Sequence, residues 1–283
     1  MNKESFSTQK IREWRLPFSK KVTEVISSFA LTEKVIFYFF ATLFCISSLV
    51  LLWQVNSAFL VDVAAHGGKL TEGVLGTPRF INPLLALSDS DRDLSTLIYS
   101  GLLRADSNGK LVPDLAESYT ISDDKLTYTF VLKKAVVFQD DSPITADDVV
   151  FTLEKAKDPA FGSPRKSAWD SVTVEKINNE TISLTLREPY APFIQNATLG
   201  ILPKHIWSKV TPEEFPFSQF NTRPVGSGPY AVDNIKYNSS GLPSEYHLTA
   251  FKKYSLGKPY ISTPVSYTHL RAHETKANLV CRL

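Results

Sequence analysis

Two adjacent carboxylates, Asp147 and Asp148, invite a catalytic reading, since general acid–base chemistry needs such groups within reach of one substrate. Their surroundings give a different one. Thr145 stands three residues ahead of Asp148, Pro143 precedes both, and Val149, Val150, Phe151 and Leu153 follow. That order predicts a helix capped by Thr145, with Asp148 answering the cap and both carboxylates favoured by the positive end of the helix dipole. The pair reads as helix chemistry. Gly226-Ser-Gly-Pro-Tyr230 could pass for a nucleophile or phosphate loop, but it lacks the G-x-S-x-G spacing and reads as a turn entering a strand. His66, His205 and His247 are scattered without metal-ligand spacing and read as structural. His269 and His273 are four apart, a spacing that places two ligands on one helix face; the segment that holds them is discounted below. No catalytic residue, metal or cofactor is expected.

The elements that position these groups mix strands and helices without the even spacing of a βα repeat. Residues 66–76 are Gly-rich and suggest a strand-like entry. Residues 91–103 follow helical spacing through Leu94, Leu97, Ile98 and Leu102, with Gly101 inviting termination. Residues 125–133 alternate, with Tyr128, Phe130 and Leu132 on one face of a half-buried strand, and Val136, Val137 and Phe138 are expected to continue into its neighbour. Residues 171–176 and 181–186 are two alternating strands around Asn178-Asn179, a hairpin signature. The fold class that fits is α/β in the broad sense, a mixed α+β domain with insertions.

The compartment is set by residues 35–53 (VIFYFFATLFCISSLVLLW), nineteen residues without a charge. At about 1.5 Å per residue such a run crosses the roughly 30 Å hydrocarbon core. Residues 1–34 carry seven Lys/Arg against four Glu, and no Lys/Arg follows the run until Lys69, so the N-terminus is expected in the cytoplasm. Val63-Ala64-Ala65 keeps a cleaved leader open as the alternative, although the basic segment and the apolar core are both long for a signal peptide. Phe44 before Cys45 argues against lipoprotein processing. Residues 35–264 carry 21 basic and 24 acidic side chains, and this mildly acidic body gives no reason to expect nucleic acid. Only Cys45 and Cys281 are present, so the body between them holds no cysteine and no disulfide, as is common for large exported bacterial domains. The expected organisation is a cytoplasmic segment 1–34, a transmembrane anchor 35–61, an extracytoplasmic body 62–264 and a foreign tail 265–283. The tail is set apart because residues 266–274 are what the codons TCT TAT ACA CAT CTC CGA GCC CAC GAG spell, a string that resembles a sequencing-library adapter. Its two histidines are accordingly not read as a metal site.

The body resembles the N-terminal half of the family 5 extracellular solute-binding proteins, the oligopeptide-, dipeptide- and nickel-binding components of ABC importers. The resemblance is carried by Phe80-Ile-Asn-Pro83, Leu97-Ile-Tyr-Ser-Gly-Leu-Leu103, Leu111-Val-Pro-Asp-Leu-Ala-Glu-Ser118 and Thr127-Tyr-Thr-Phe-Val-Leu-Lys133. It continues through Val137-Phe-Gln-Asp140, Pro143-Ile-Thr-Ala-Asp-Asp-Val-Val-Phe151, Leu202-Pro-Lys-His-Ile206 and Pro224-Val-Gly-Ser-Gly-Pro-Tyr230. Each stretch is weak alone; their order and separations are specific. Tyr119 replaces the usual Trp, and Asp141 stands where the family has Gly in a turn, a position that Asp tolerates. The resemblance implies a type II periplasmic-binding-protein fold about twice this length, with most of the first lobe present here and the second lobe missing. It implies hinge closure around a short peptide or a related small solute, and delivery to ABC permease subunits. It also places Thr77, Pro78 and Arg79 in a loop along the cleft, where Arg79 could meet a carboxylate by bidentate hydrogen bonds. A membrane-anchored hydrolase and a ligand sensor without a transport role are the competing functions.

Overall fold

The apolar run near the N-terminus forms one helix, α1 (Leu31–Phe59), of 29 residues. At 1.5 Å per residue it is about 43 Å long, enough to cross a bilayer. Residues 36–40 together circle the helix and every one of them is exposed, so the apolar surface has no preferred face. A helix of this kind buries itself either in a large core or in lipid. The computed structural model describes residues 26–60, 65–74, 76–262 and 266–269. Most of the basic N-terminal segment, the Val63-Ala64 step, Cys281 and the tail from residue 270 lie outside them. The chain divides into two compact units, Met1–Val63 and Ala64–Leu283.

The second unit is mixed α/β. Its strands are β1 (Thr71–Val74), β2 (Leu103–Ala105), β3 (Leu111–Pro113), β4 (Ala116–Ile121), β5 (Thr127–Leu132), β6 (Val172–Lys176), β7 (Thr181–Leu186), β8 (Tyr230–Tyr237), β9 (Pro243–Ala250) and β10 (Ser266–His269). Its helices are α2 (Asp89–Ile98), α3 (Ala146–Lys157) and two single turns, α4 (Lys166–Trp169) and α5 (Lys204–Trp207). One antiparallel sheet runs β4-β5-β7-β6. In it Tyr128 pairs with Leu184 and Phe130 with Ile182, so the alternation read from the sequence puts both apolar rows on one buried face. α3 packs there through Val149, Leu153 and Ala156. The β6–β7 hairpin turns at Asn178-Asn179 as expected. A second sheet runs β1-β10-β9-β8, with β1 parallel to β10 and the other pairs antiparallel. The residues read as adapter-coded thus include a four-residue strand between β1 and β9. β2 and β3 form a separate hairpin.

Two expectations need correction. Val136, Val137 and Phe138 do not form a strand: Ala135 takes φ +58° and breaks the extended chain. Phe138 and Ile144 then donate backbone N–H bonds within a tight local turn, to Ser142 and Val136. Val136 and Phe138 are nonetheless buried, which explains the apolar pattern. Asp141 closes this turn at φ +68°, the left-handed position its side chain was expected to tolerate. Helix α2 also ends at Ile98 rather than at Gly101. The Ile98 carbonyl accepts Gly228 N at 2.7 Å and Gln139 Nε2 at 3.2 Å instead of continuing the helix. Gly101 is needed for a different reason, since a Cβ there would stand 2.7 Å from the Thr198 carbonyl carbon.

Candidate functional site

Both long helices of the second unit start with an aspartate turned back onto the cap residue, although the Thr145 hydroxyl donates to Asp148 rather than capping a backbone N–H as expected. At α3, Asp148 Oδ2 accepts Thr145 N and Oγ1 at 2.9 and 3.0 Å, and its Oδ1 accepts Lys204 N at 3.0 Å. Asp147 faces Lys176 at 2.6 Å. Asp148 thus serves the helix start, as its order in the sequence indicated, and Asp147 forms half-exposed ion pairs with Lys176 and Lys204. At α2, Ser88 Oγ accepts Asp91 N at 3.1 Å, and the Asp91 carboxylate reaches back to Ser88 N. The buried Asp91 also accepts the backbone N–H groups of Arg79 and Phe80 at 2.7 and 3.0 Å. These two bonds hold Arg79 and Phe80 against the N-terminal end of α2.

Along the later part of α2 lies a cavity of about 570 Å³, a volume suited to a small organic solute. α2 supplies Ser95 and Thr96 to its wall, β2 supplies Arg104, the segment around α4 supplies Arg165 and Trp169, and the turn Ala191–Thr198 supplies Gln195 and Asn196. A polar chain closes one side. Arg104 Nη1 donates to Tyr254 Oη at 3.1 Å, and Tyr254 and Ser255 both approach the buried Asp114 carboxylate. Burial pushes the Asp114 carboxyl up from its ordinary value, against the pull of the Ser255 and Ser100 hydroxyls and of Arg104 and Lys133. None of Thr77, Pro78 and Arg79 lines the cavity. Thr77 and Pro78 are half-buried; Arg79 is exposed, with its guanidinium 5.9 Å from the Phe80 ring centroid. The residues missed from sequence, Arg104, Arg165 and Tyr254, carry no motif; they are single polar residues on unrelated elements, brought together by the fold.

Gly226-Ser-Gly-Pro-Tyr230 is a packing turn. Gly226 N donates to Gln139 Oε1, Gly228 N to the Ile98 carbonyl, and Ser227 is buried. Ser142, His205 and Asp140 bring together the three groups of a hydrolytic triad, but not its wiring. A triad needs serine and carboxylate on opposite ring nitrogens. Here both face His205 Nε2, at 3.4 Å from Ser142 Oγ and 2.7 Å from Asp140 Oδ2, and Ser142 donates its own proton to Asp140. The trio pins α5 to the turn at residues 138–142.

This trio makes an acid-range prediction. Burial acts to raise the Asp140 carboxyl, but the hydrogen bonds from Ser142 and His205 outweigh it and hold the group below its ordinary value. A carboxyl lowered by folding stabilises the fold above its unfolded value of about 4 and withdraws that support as pH falls through the folded value. The melting-temperature gap between the wild type and Asp140→Asn is expected to be widest near about pH 6 and to narrow toward about pH 3. A thermal-denaturation series across pH reads this directly, and a constant gap would contradict it.

Residues 110–270, more than half of the chain, match the family profile of the bacterial extracellular solute-binding proteins, family 5 (Middle). The chain belongs to this family. Among its curated relatives, the oligopeptide-binding protein AppA of Bacillus subtilis is 32% identical over 202 residues, covering 70% of this chain and 36% of AppA. The glutathione-binding protein GsiB of Escherichia coli O1:K1 is 33% identical over 182 residues, covering 63% of this chain and 35% of GsiB. The crystal structure of Campylobacter jejuni NikZ with Ni(L-His) superposes at a TM-score of 0.63 with 32% identity, over 71% of this chain and 39% of NikZ. AppA from B. subtilis with a nonapeptide superposes at 0.68 with 31% identity, over 74% of this chain and 41% of AppA. The chain thus spans about a third of the length of the curated relatives it matches. The fold is that of the periplasmic-binding-protein structures, and the partial coverage fits one lobe of a two-lobed receptor.

Proposed function

We propose that the full-length protein is a membrane-anchored, extracytoplasmic solute-binding protein that captures short peptides, or a related small solute, and hands them to ABC permease subunits. The observation that carries this reading is membership of family 5, with an oligopeptide-binding relative alike in both sequence and fold. The anchor is supported by α1, whose apolar side chains face outward all round, and by the seven basic residues of segment 1–34. In this reading residues 1–34 are cytoplasmic, 35–61 span the membrane, 62–264 form the binding body and 265–283 are adapter-coded. The cavity beside α2 is the solute-facing wall. Thr77, Pro78 and Arg79 form, in this reading, a separate solute-facing strip outside that cavity, where the Arg79 guanidinium has no ionic partner among the described residues.

Topology and cargo are tested separately. Alkaline phosphatase fused after Gly68 should be active in cells, and the same enzyme fused ahead of α1 inactive; the reverse pattern would refute the orientation. For cargo, cells lacking the gene should lose uptake of labelled tripeptides and regain it with the full-length copy. Unchanged uptake of every peptide tried would remove the peptide assignment.

A further inference from the structure

The cavity is unbalanced in charge. Arg92, Arg104 and Arg165 all line it, and Asp114 is the one carboxylate among its lining residues. Asp114 is buried and already taken up by Ser255 and Tyr254. Arg92 is held by Asp89, but that pair is exposed, with 52% and 85% of the two side chains accessible, so water competes for it and it is easily released. Arg104 leans on the neutral Tyr254 hydroxyl. Arg165 is exposed, and its guanidinium has no hydrogen-bonding or ionic partner among the described residues. Around these cations stand Gln195 and Asn196, whose amides can donate to an oxygen but bring no opposing charge.

Resting on the solute-binding reading above, we infer that the solute held in this cavity is anionic, and that Arg165 grips a carboxylate on it. A guanidinium matches a carboxylate as a planar two-pronged donor, and one with no internal partner gives up no bond of its own when a ligand arrives. The wall selects against cationic solutes by the same imbalance, since their charge would enter beside three arginines.

The test uses the purified full-length chain in detergent and three probes of similar size: trialanine, trialanine amide and Ala-Glu-Ala amide. Each is acetylated at its N-terminus, so that only the carboxylate differs. Titration calorimetry should give tighter binding for the two acids than for the neutral amide, by roughly 10- to 100-fold, the worth of a charge-assisted hydrogen bond. Which acid binds better tells whether the C-terminal or a side-chain carboxylate is the group recognised. R165Q should close the gap by weakening the two acids toward the neutral amide, with the melting temperature unchanged. Equal binding of all three probes, or a gap that survives R165Q, overturns the charge inference and leaves solute binding standing. Failure of every probe to bind also overturns the charge inference, and the solute-binding reading then stands or falls on the uptake test above.

Discussion

Gly226→Ala is expected to lower stability by about 3–5 kcal/mol, the upper end for overpacking combined with lost buried hydrogen bonds. A Cβ at this position would lie 2.0 Å from the Ile98 carbonyl oxygen, and no rotamer relieves a clash made by Cβ itself. The backbone must therefore withdraw, and it carries Gly226 N away from Gln139 Oε1 and Gly228 N away from Ile98. For a domain of this size the loss corresponds to a fall in melting temperature of roughly 6–20 °C. Gly241 provides the contrast. It sits at φ +74° with open space where a Cβ would go, so Gly241→Ala meets only the left-handed strain of about 1 kcal/mol. Thermal denaturation of both variants checks the ranking, and equal losses would show that close approach is not what fixes Gly226.

Asp91→Ala is the second large effect, again about 3–5 kcal/mol. The buried carboxylate serves three backbone donors, Arg79 N, Phe80 N and Ser88 N, and truncation strands all three at once. Each buried donor left unpaired costs about 1–3 kcal/mol, reduced where water can re-enter beside the exposed Arg79. Asp91→Asn keeps one acceptor oxygen and should lose about half as much. Urea denaturation distinguishes the two. If Asn proves as harmful as Ala, the paired-acceptor account fails.

The strands and the α3 start were legible because their signals are local. Alternation over Tyr128, Phe130 and Leu132 needs no knowledge of partners, and Thr145 with Asp148 is a pattern within four residues. The helical spacing alone starts α2 at Asp91, two residues after its true start at Asp89, because Ser88-Asp-Ser-Asp91 offers several capping candidates and only the fold shows which carboxylate turns back. The end of α2 was not legible at all. It is decided by Gly228 and Gln139, far away in the chain, competing for the Ile98 carbonyl. The cavity was hidden for the same reason: Arg104 and Tyr254 are 150 residues apart, and nothing near either one announces the other.

The Gln139 side chain has a consequence for how the chain is made. Its amide nitrogen donates to the carbonyls of Ile98 and Tyr230, and its oxygen accepts from Gly226, which lies 87 residues further on. During synthesis Ile98 and Gln139 therefore emerge long before the glycines that complete their bonding. Closing so long a loop brings no reward until its far end arrives. The junction is therefore expected to close after the β4-β5-β7-β6 sheet, and substitutions in it to hasten unfolding more than they slow folding, which a denaturant chevron would read.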